Sequence, residues 1–257
     1  MRLFAVNALY SYKALFRWQT PEAYLLQKML FPLVQLAFFA LIGQYGGSQP
    51  IAFYLIGNCI AVAFRPMFSI TTAIADERSG GTLPYLIASP ANRILLFFGR
   101  ATFHVIDGMF DIVVAFIFAI FVFGLRLPES AWPGMLTAVF VASLAACGLG
   151  FFLGAVAYVV LDAVFLANRV MFALLLLTGA NIPLAELPDP VRALGEALPL
   201  THTIAAARAY AAGADLGFGL PLLIADVILG VVWALGGFAL FSFLELQARR
   251  SGTLEAV

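Results

Sequence analysis

The feature that most constrains this chain is a series of long apolar runs separated by short polar ones. Six runs, at about 26–43, 51–74, 101–125, 134–160, 164–181 and 219–243, hold almost no charge. Each is near the roughly 20 helical residues that cross a bilayer core about 30 Å thick. In lipid every backbone N–H and C=O has to be bonded within the protein, so a spanning segment is a helix or part of a closed barrel. Barrel strands would alternate apolar and polar residues over about ten positions, and these runs show no such alternation. The expected fold is therefore an all-α integral membrane protein, with six transmembrane helices in a single transmembrane domain over residues 1–257. The chain is 63% hydrophobic and 11% charged, against about a quarter charged for a soluble domain. Its 25 phenylalanines are readily accommodated on faces that lie against lipid.

Position matters more than sum for the charges, because the net charge is zero. Nucleic acid is thus not expected as a partner, and the lipid bilayer is. Lys and Arg are retained on the cytoplasmic side of a membrane protein. With the N-terminus inside, the cytoplasmic pieces hold ten of them: Arg2, Lys13, Arg17, Lys28, Arg78, Arg93, Arg100, Arg169, Arg249 and Arg250. The outer pieces hold three, Arg126, Arg192 and Arg208, while Arg65 falls inside a run. This bias predicts a multi-pass protein of the cytoplasmic membrane with both termini in the cytoplasm. Residues 1–25 mix Leu3, Phe4, Tyr10, Leu15, Phe16 and Trp18 with Lys13, Arg17 and Glu22, which reads as an amphipathic helix lying in the interface. The start lacks a continuous apolar core followed by a small-residue cleavage site, so a removable signal peptide is not expected. Residues 182–217 are broken by Pro183, Pro188, Pro190 and Pro199, and are expected as short helices that dip into or cap the outer face. Cys59 and Cys147, both inside apolar runs, read as buried small hydrophobes.

One polar interruption, DERSGGTLPYLIASPANRI from residue 76 to 94, carries more than a hairpin needs. Gly80, Gly81 and Thr82 can end one helix and cap another, Leu83, Leu86 and Ile87 can share a face, and Ser89–Pro90 ends the segment. The predicted element is a short helix over 75–93 on the cytoplasmic face, led by Asp76, Glu77 and Arg78. In spacing, Glu77, Arg78, Gly81, Thr82, Leu83, Leu86, Ser89 and Pro90 reproduce the motif Glu-Arg/Lys-x-x-Gly-Thr-Leu-x-x-Leu-x-x-Ser/Thr-Pro. The chain resembles the permease subunits of ABC-2 type transporters, which carry that motif between their second and third spans. Pro84 is a departure, standing where the family often has an acid. The outer stretch LPDPVRALGEALPLTHTIAAARAYAAG also resembles the family, more loosely.

That resemblance implies a type V exporter-like fold in which the 75–93 loop is a coupling helix. Asp76, Glu77, Arg78, Gly81, Thr82, Leu83, Leu86, Ser89 and Pro90 would then contact a separate ABC ATP-binding subunit. It also implies a second permease chain, identical or paralogous, and ATP with Mg bound on the partner rather than on this chain. The chain holds no G-x-x-x-x-G-K-[ST] phosphate loop, and Lys13 and Lys28 are its only lysines. No catalytic residue and no metal site are expected, since the two histidines are far apart and no nucleophile motif is present.

Several polar residues lie within the runs. Arg100, His104, Asp107 and Asp111 are spaced i, i+4, i+7 and i+11, one stripe of a helix. Arg65, about ten residues from the cytoplasmic end of its run, reaches a depth near that of Asp111. Three expectations stay open for this group. Arg65 pairs with Asp111 or Asp107 and locks two spans together, or the stripe lines a wet vestibule where Arg100 and His104 satisfy the acids; a transport role is the third possibility. Asn58 and Asp226 are candidates either for a pathway or for packed hydrogen bonds. Ala138, Ala142, Ala146, Gly150 and Gly154 recur every four residues, a surface for close helix approach, within the chain or across a dimer. The functional expectation is export of an apolar or amphipathic substrate (a drug, a lipid-like compound or a glycoconjugate). The alternatives are a proton-coupled secondary transporter using Asp107 and Asp111, and a membrane scaffold or enzyme that transports nothing.

Overall fold

The computed structural model describes residues 20–79, 93–157, 159–160 and 162–251, with side chains left aside within 74–101 and at 245 and 248–251. In chain order the helices are α1 (Pro21–Gly46), α2 (Ile51–Ala61), α3 (Phe64–Ser79), α4 (Arg93–Phe121), α5 (Ala131–Ala157), α6 (Ala163–Leu177), α7 (Asp189–Glu196), α8 (Thr201–Ala211) and α9 (Leu216–Ser251). A single 3₁₀ turn, Leu184–Glu186, precedes α7. The described residues contain no strand. Among the described residues, five helical stretches are long and apolar enough to cross a membrane: α1, α2 and α3 taken together, α4, α5 and α9. At 15 residues, α6 is apolar but shorter.

Helix ends follow local chemistry. Thr20 caps α1 by accepting from Ala23 N at 3.3 Å, with Pro21 in the first turn and Glu22 beside the positive end of the dipole. Asp162 caps α6 by accepting from Phe165 N at 2.8 Å. After α6 the chain turns at Gly179, φ +78, a left-handed residue of the kind that commonly terminates helices. Residues 21–25, expected in an interfacial helix, instead form the first turns of α1; residues 1–19 lie outside the described residues.

The second span expected at about 51–74 is present as Ile51–Ala73, with a break inside it. The helix is interrupted at Val62–Ala63, between α2 and α3. Pro66 is the cause, because it has no N–H for the Val62 carbonyl four residues earlier. That carbonyl accepts from Arg65 N at 3.0 Å instead, and Ala63 N turns back to the Ile60 carbonyl. Pro66 then seats against Gly108 of α4, where a Cβ would lie 2.6 Å from the proline ring.

The core centres on α5, which packs against α3, α4, α8 and α9. Small residues set the separations. A Cβ on Gly150 would meet the Met67 carbonyl of α3 at 2.9 Å, and one on Gly230 would stand 2.7 Å from Ala145 Cα. Ala138, Ala142 and Ala146 are buried with Gly150 and Gly154, so the small-residue stripe packs within this chain. Contacts between α5 and α9 advance in the same direction: Ala145 meets Gly230, and Phe152 meets Trp233 and Gly237. Tyr210 of α8 covers Gly134 and Gly219 at the beginnings of both helices. The two helices therefore run parallel, and α6, α7 and α8 return the chain from the end of one to the start of the other.

Candidate functional site

The densest polar arrangement lies between α1, α3 and α4, and its centre is a residue that sequence reasoning placed elsewhere. Lys28 was counted among the cytoplasmic loop charges; it is 2% exposed, inside α1. Its ammonium group sits 2.6 Å from Asp107 Oδ2 and 2.7 Å from Asp111 Oδ2, and donates at 3.4 Å to the Asp107 carbonyl. The hydroxyl of Tyr24, one turn earlier on α1, donates to Asp107 Oδ1. The expected Arg65–Asp111 contact exists but is long, 3.5 Å from Nη1 to Oδ1. Arg65 also reaches the Gln27 carbonyl at 3.4 Å and stacks 5.0 Å from the Phe31 ring centre.

Elementary geometry explains this meeting. Asp107 and Asp111 are four residues apart and share one face of α4. Tyr24 and Lys28 have the same relation on α1. Arg65 enters from the first turn of α3, which the Pro66 contact with Gly108 holds beside the acids. Lys28, Arg65, Asp107 and Asp111 sum to zero when all are ionised, so each buried charge has an opposite neighbour, the condition under which charges are tolerated at membrane depth. On the same helix His104 is partly buried, edge to face with Phe103 at 5.7 Å. Arg100 lies in α4 with its side chain outside the described residues.

A second polar network sits towards the other end of α1 and α2. Asn58, fully buried, donates to Asn181 Oδ1 at 2.7 Å and to the Tyr54 carbonyl, and accepts from Gln35 at 3.3 Å. Arg208, counted as an outer loop charge, lies in α8 and is partly buried. It donates to the carbonyls of Gly179, Ala180 and Phe53 at 2.8, 2.9 and 3.1 Å, with its guanidinium 3.4 Å from the Phe53 ring centre. Burial pulls its pKa down to about 9, so it remains a cation at neutral pH. The room it occupies exists because residue 57 is glycine, whose Cβ would fall 2.6 Å from Nη2. Asp226 of α9, also fully buried, accepts from Thr203 N at 2.7 Å. It thereby caps α8 from another helix, at an end where Leu200 supplies no side-chain cap. Both Asn58 and Asp226 thus make hydrogen bonds inside the chain.

Of the coupling motif, Asp76, Glu77 and Arg78 lie in the last described turn of α3 rather than in the lead-in to a separate helix, with their side chains not described. Gly81, Thr82, Leu83, Leu86, Ser89 and Pro90 lie outside the described residues. The motif therefore joins the far end of α3, whose first turn carries Arg65, to α4, which carries both aspartates. Among the described residues no His, Cys, Asp or Glu cluster could hold a metal ion, and Cys59 and Cys147 are buried free thiols.

Tyr24, Lys28, Gln35, Asn181 and Arg208 were missed. Lys28 stands within the apolar stretch LLQKMLFPLVQL, a setting that does not by itself say whether it turns inward. No curated protein matches the chain. The family described as ABC-2 type transporter matches residues 5–211, from ahead of α1 through the last residue of α8, with the Glu77–Pro90 motif inside that range. The chain belongs to the ABC-2 type transporter family, as a membrane-spanning permease.

Proposed function

We propose that this chain is the permease subunit of an ATP-driven exporter, working as a pair of permease chains with ATP-binding subunits that hold ATP and Mg. The observation that carries the reading is the position of the Glu77–Pro90 motif, between the two helices that meet in the Lys28 cluster. A partner pressing on that loop acts on α3 and α4 at their ends, and the helices extend the displacement into the membrane. Outward-facing side chains of the described spans are overwhelmingly apolar, including Phe38, Phe110, Phe140 and Phe238. The substrate proposed is apolar or amphipathic, such as a drug, a lipid-like compound or a glycoconjugate, since the spans offer few polar contacts. Lys28 engages both Asp107 and Asp111, which favours a holding role for them over a proton relay.

The topology proposed is six crossings with both termini in the cytoplasm. The parallel course of α5 and α9 supports it, since only α6 and the short helices after it lie between them to bring the chain back. Removing the buried Lys28 from the charge count leaves nine cytoplasmic basic residues against three outer ones, so the orientation bias persists.

The test is to express the permease with its ATP-binding subunit and replace Glu77 by alanine, or Leu83 and Leu86 by serine. The expected outcome is a folded permease of unchanged thermal stability, with at least about a tenfold loss of transport-linked ATP hydrolysis, about 1.4 kcal/mol of coupling. Variants that hydrolyse ATP and transport as the parent does would refute the coupling assignment.

A further inference from the structure

The grip on α1 is unusual for a membrane helix. Its buried positions are Lys28, Pro32, Leu36, Ala40 and Gly43, a stripe one residue wide, and Leu36 is the one large apolar side chain among them. Leu25, Leu26, Met29, Leu30, Val34 and Phe38 face outward. Its principal neighbours are α2 and α4. The strongest described attachment at its inner end is therefore ionic, Lys28 and Tyr24 on the two aspartates of α4, with Arg65 of α3 closing the group.

Two joints lie beside this attachment. Pro32 stands inside α1 and leaves the Lys28 carbonyl without its helical donor, so the turn that carries Lys28 is also the turn where the helix can bend. The second joint is Val62–Ala63, immediately before Arg65. Beyond both, the outer parts are fastened separately. Gln35 bonds Asn58, the Tyr54 ring lies over Gly43, and residues 47–50 make a short connection from α1 to α2.

We infer that Lys28 fastens the inner part of α1 to α3 and α4 as one rigid unit, and that this unit swings against the outer parts about the joints at Pro32 and Val62–Ala63. Lys28 is a positioning residue, which makes α1 follow the two helices that carry the coupling motif. The inference rests on the permease reading for its motive force, but the fastening itself is a property of the chain alone.

The first measurement therefore uses the permease in nanodiscs without a partner. Spin labels are placed on Met29→Cys of α1 and Ile106→Cys of α4, both outward-facing, with Cys59 and Cys147 replaced by alanine. Lys28→Met alone would strand a buried carboxylate, so the variant is Lys28→Met with Asp107→Asn, which leaves Arg65 opposite Asp111 and no net charge. The expected result is a narrow distance distribution in the parent and one several ångström broader in the neutral double variant. An unchanged narrow distribution would mean the apolar stripe suffices, and the inference falls. In a second arm the ATP-binding subunit and a non-hydrolysable nucleotide are added to the parent. The Met29–Ile106 distance should hold constant while a Phe38–Leu136 pair, from outer α1 to α5, changes; a shift in the first pair overturns the rigid unit. If neither pair in the parent responds while the first arm gives its expected broadening, the fastening stands and it is the ATP-driven reading that has failed.

Discussion

Asp226 shows how one residue can serve a helix it does not belong to. Leu200, at the start of α8, is buried with φ 77, a left-handed conformation that costs a leucine roughly 1–2 kcal/mol. It also offers no side-chain oxygen to the free N–H groups that follow it. The carboxylate of Asp226 fills that need from α9. Replacing Asp226 by leucine should lower stability by roughly 1–3 kcal/mol, the cost of a buried donor left unpaired. Asp226→Asn keeps an acceptor for Thr203 N, and should change the melting temperature in detergent little. Equal losses in the two variants would show that the charge, not the acceptor, matters. The sequence offers an aspartate in an apolar run and no way to see its partner, because the cap joins residues 23 positions apart on different helices. Lys28 was hidden differently. A lysine a few residues from the end of an apolar run has the same local pattern whether it faces the headgroups or turns inward, and only α4, about 80 residues on, decides between them.

At the scale of elements, glycine positions decide how closely α5 and α9 approach. Gly148 faces the Gly230 carbonyl and Gly230 faces Ala145, backbone against backbone with nothing flexible to yield. Gly230→Val should therefore cost about 3 kcal/mol through overpacking, read as a lowered melting temperature of the detergent-solubilised permease. Gly217→Val, where no atom lies within 4 Å of the new Cβ, should be nearly neutral in comparison. The every-fourth-residue pattern on α5 was readable, because small side chains at that period have one structural use in lipid. Which helices fill the groove was not, since Met67 and Gly230, which fill it, lie far from α5 in sequence on either side. The break between α2 and α3 was within reach, because Pro66 stands in the middle of an otherwise continuous run. A proline inside a membrane helix can merely bend it, however, and nothing local in the sequence distinguishes a bend from the break at Val62–Ala63.

For the whole molecule, the six apolar runs gave the helical class and approximate positions, while α6 is the element whose crossing rests on its neighbours. Single cysteines at Glu129, Asp162 and Asp215, each exposed between helices, test the topology. A membrane-impermeant thiol reagent applied to intact cells should label positions 129 and 215 and spare 162. Labelling that grouped 215 with 162 would remove α6 from the spanning set and place the N-terminus and C-terminus on opposite sides. The native thiols do not interfere, as both are buried.

The Lys28 cluster also bears on how the protein is made. Lys28 leaves the ribosome 79 residues before Asp107, a delay of about 4 to 16 s at roughly 5–20 residues per second. During that interval α1 carries a cation that nothing in the membrane neutralises. A lysine near the end of an inserting helix can reach back to the interface at a cost below the roughly 3 kcal/mol of a central one, so the nascent α1 should sit with Lys28 at headgroup depth and settle to its final depth only once α4 has entered. The order of synthesis thus makes α1 depend for its final seat on a helix that arrives later.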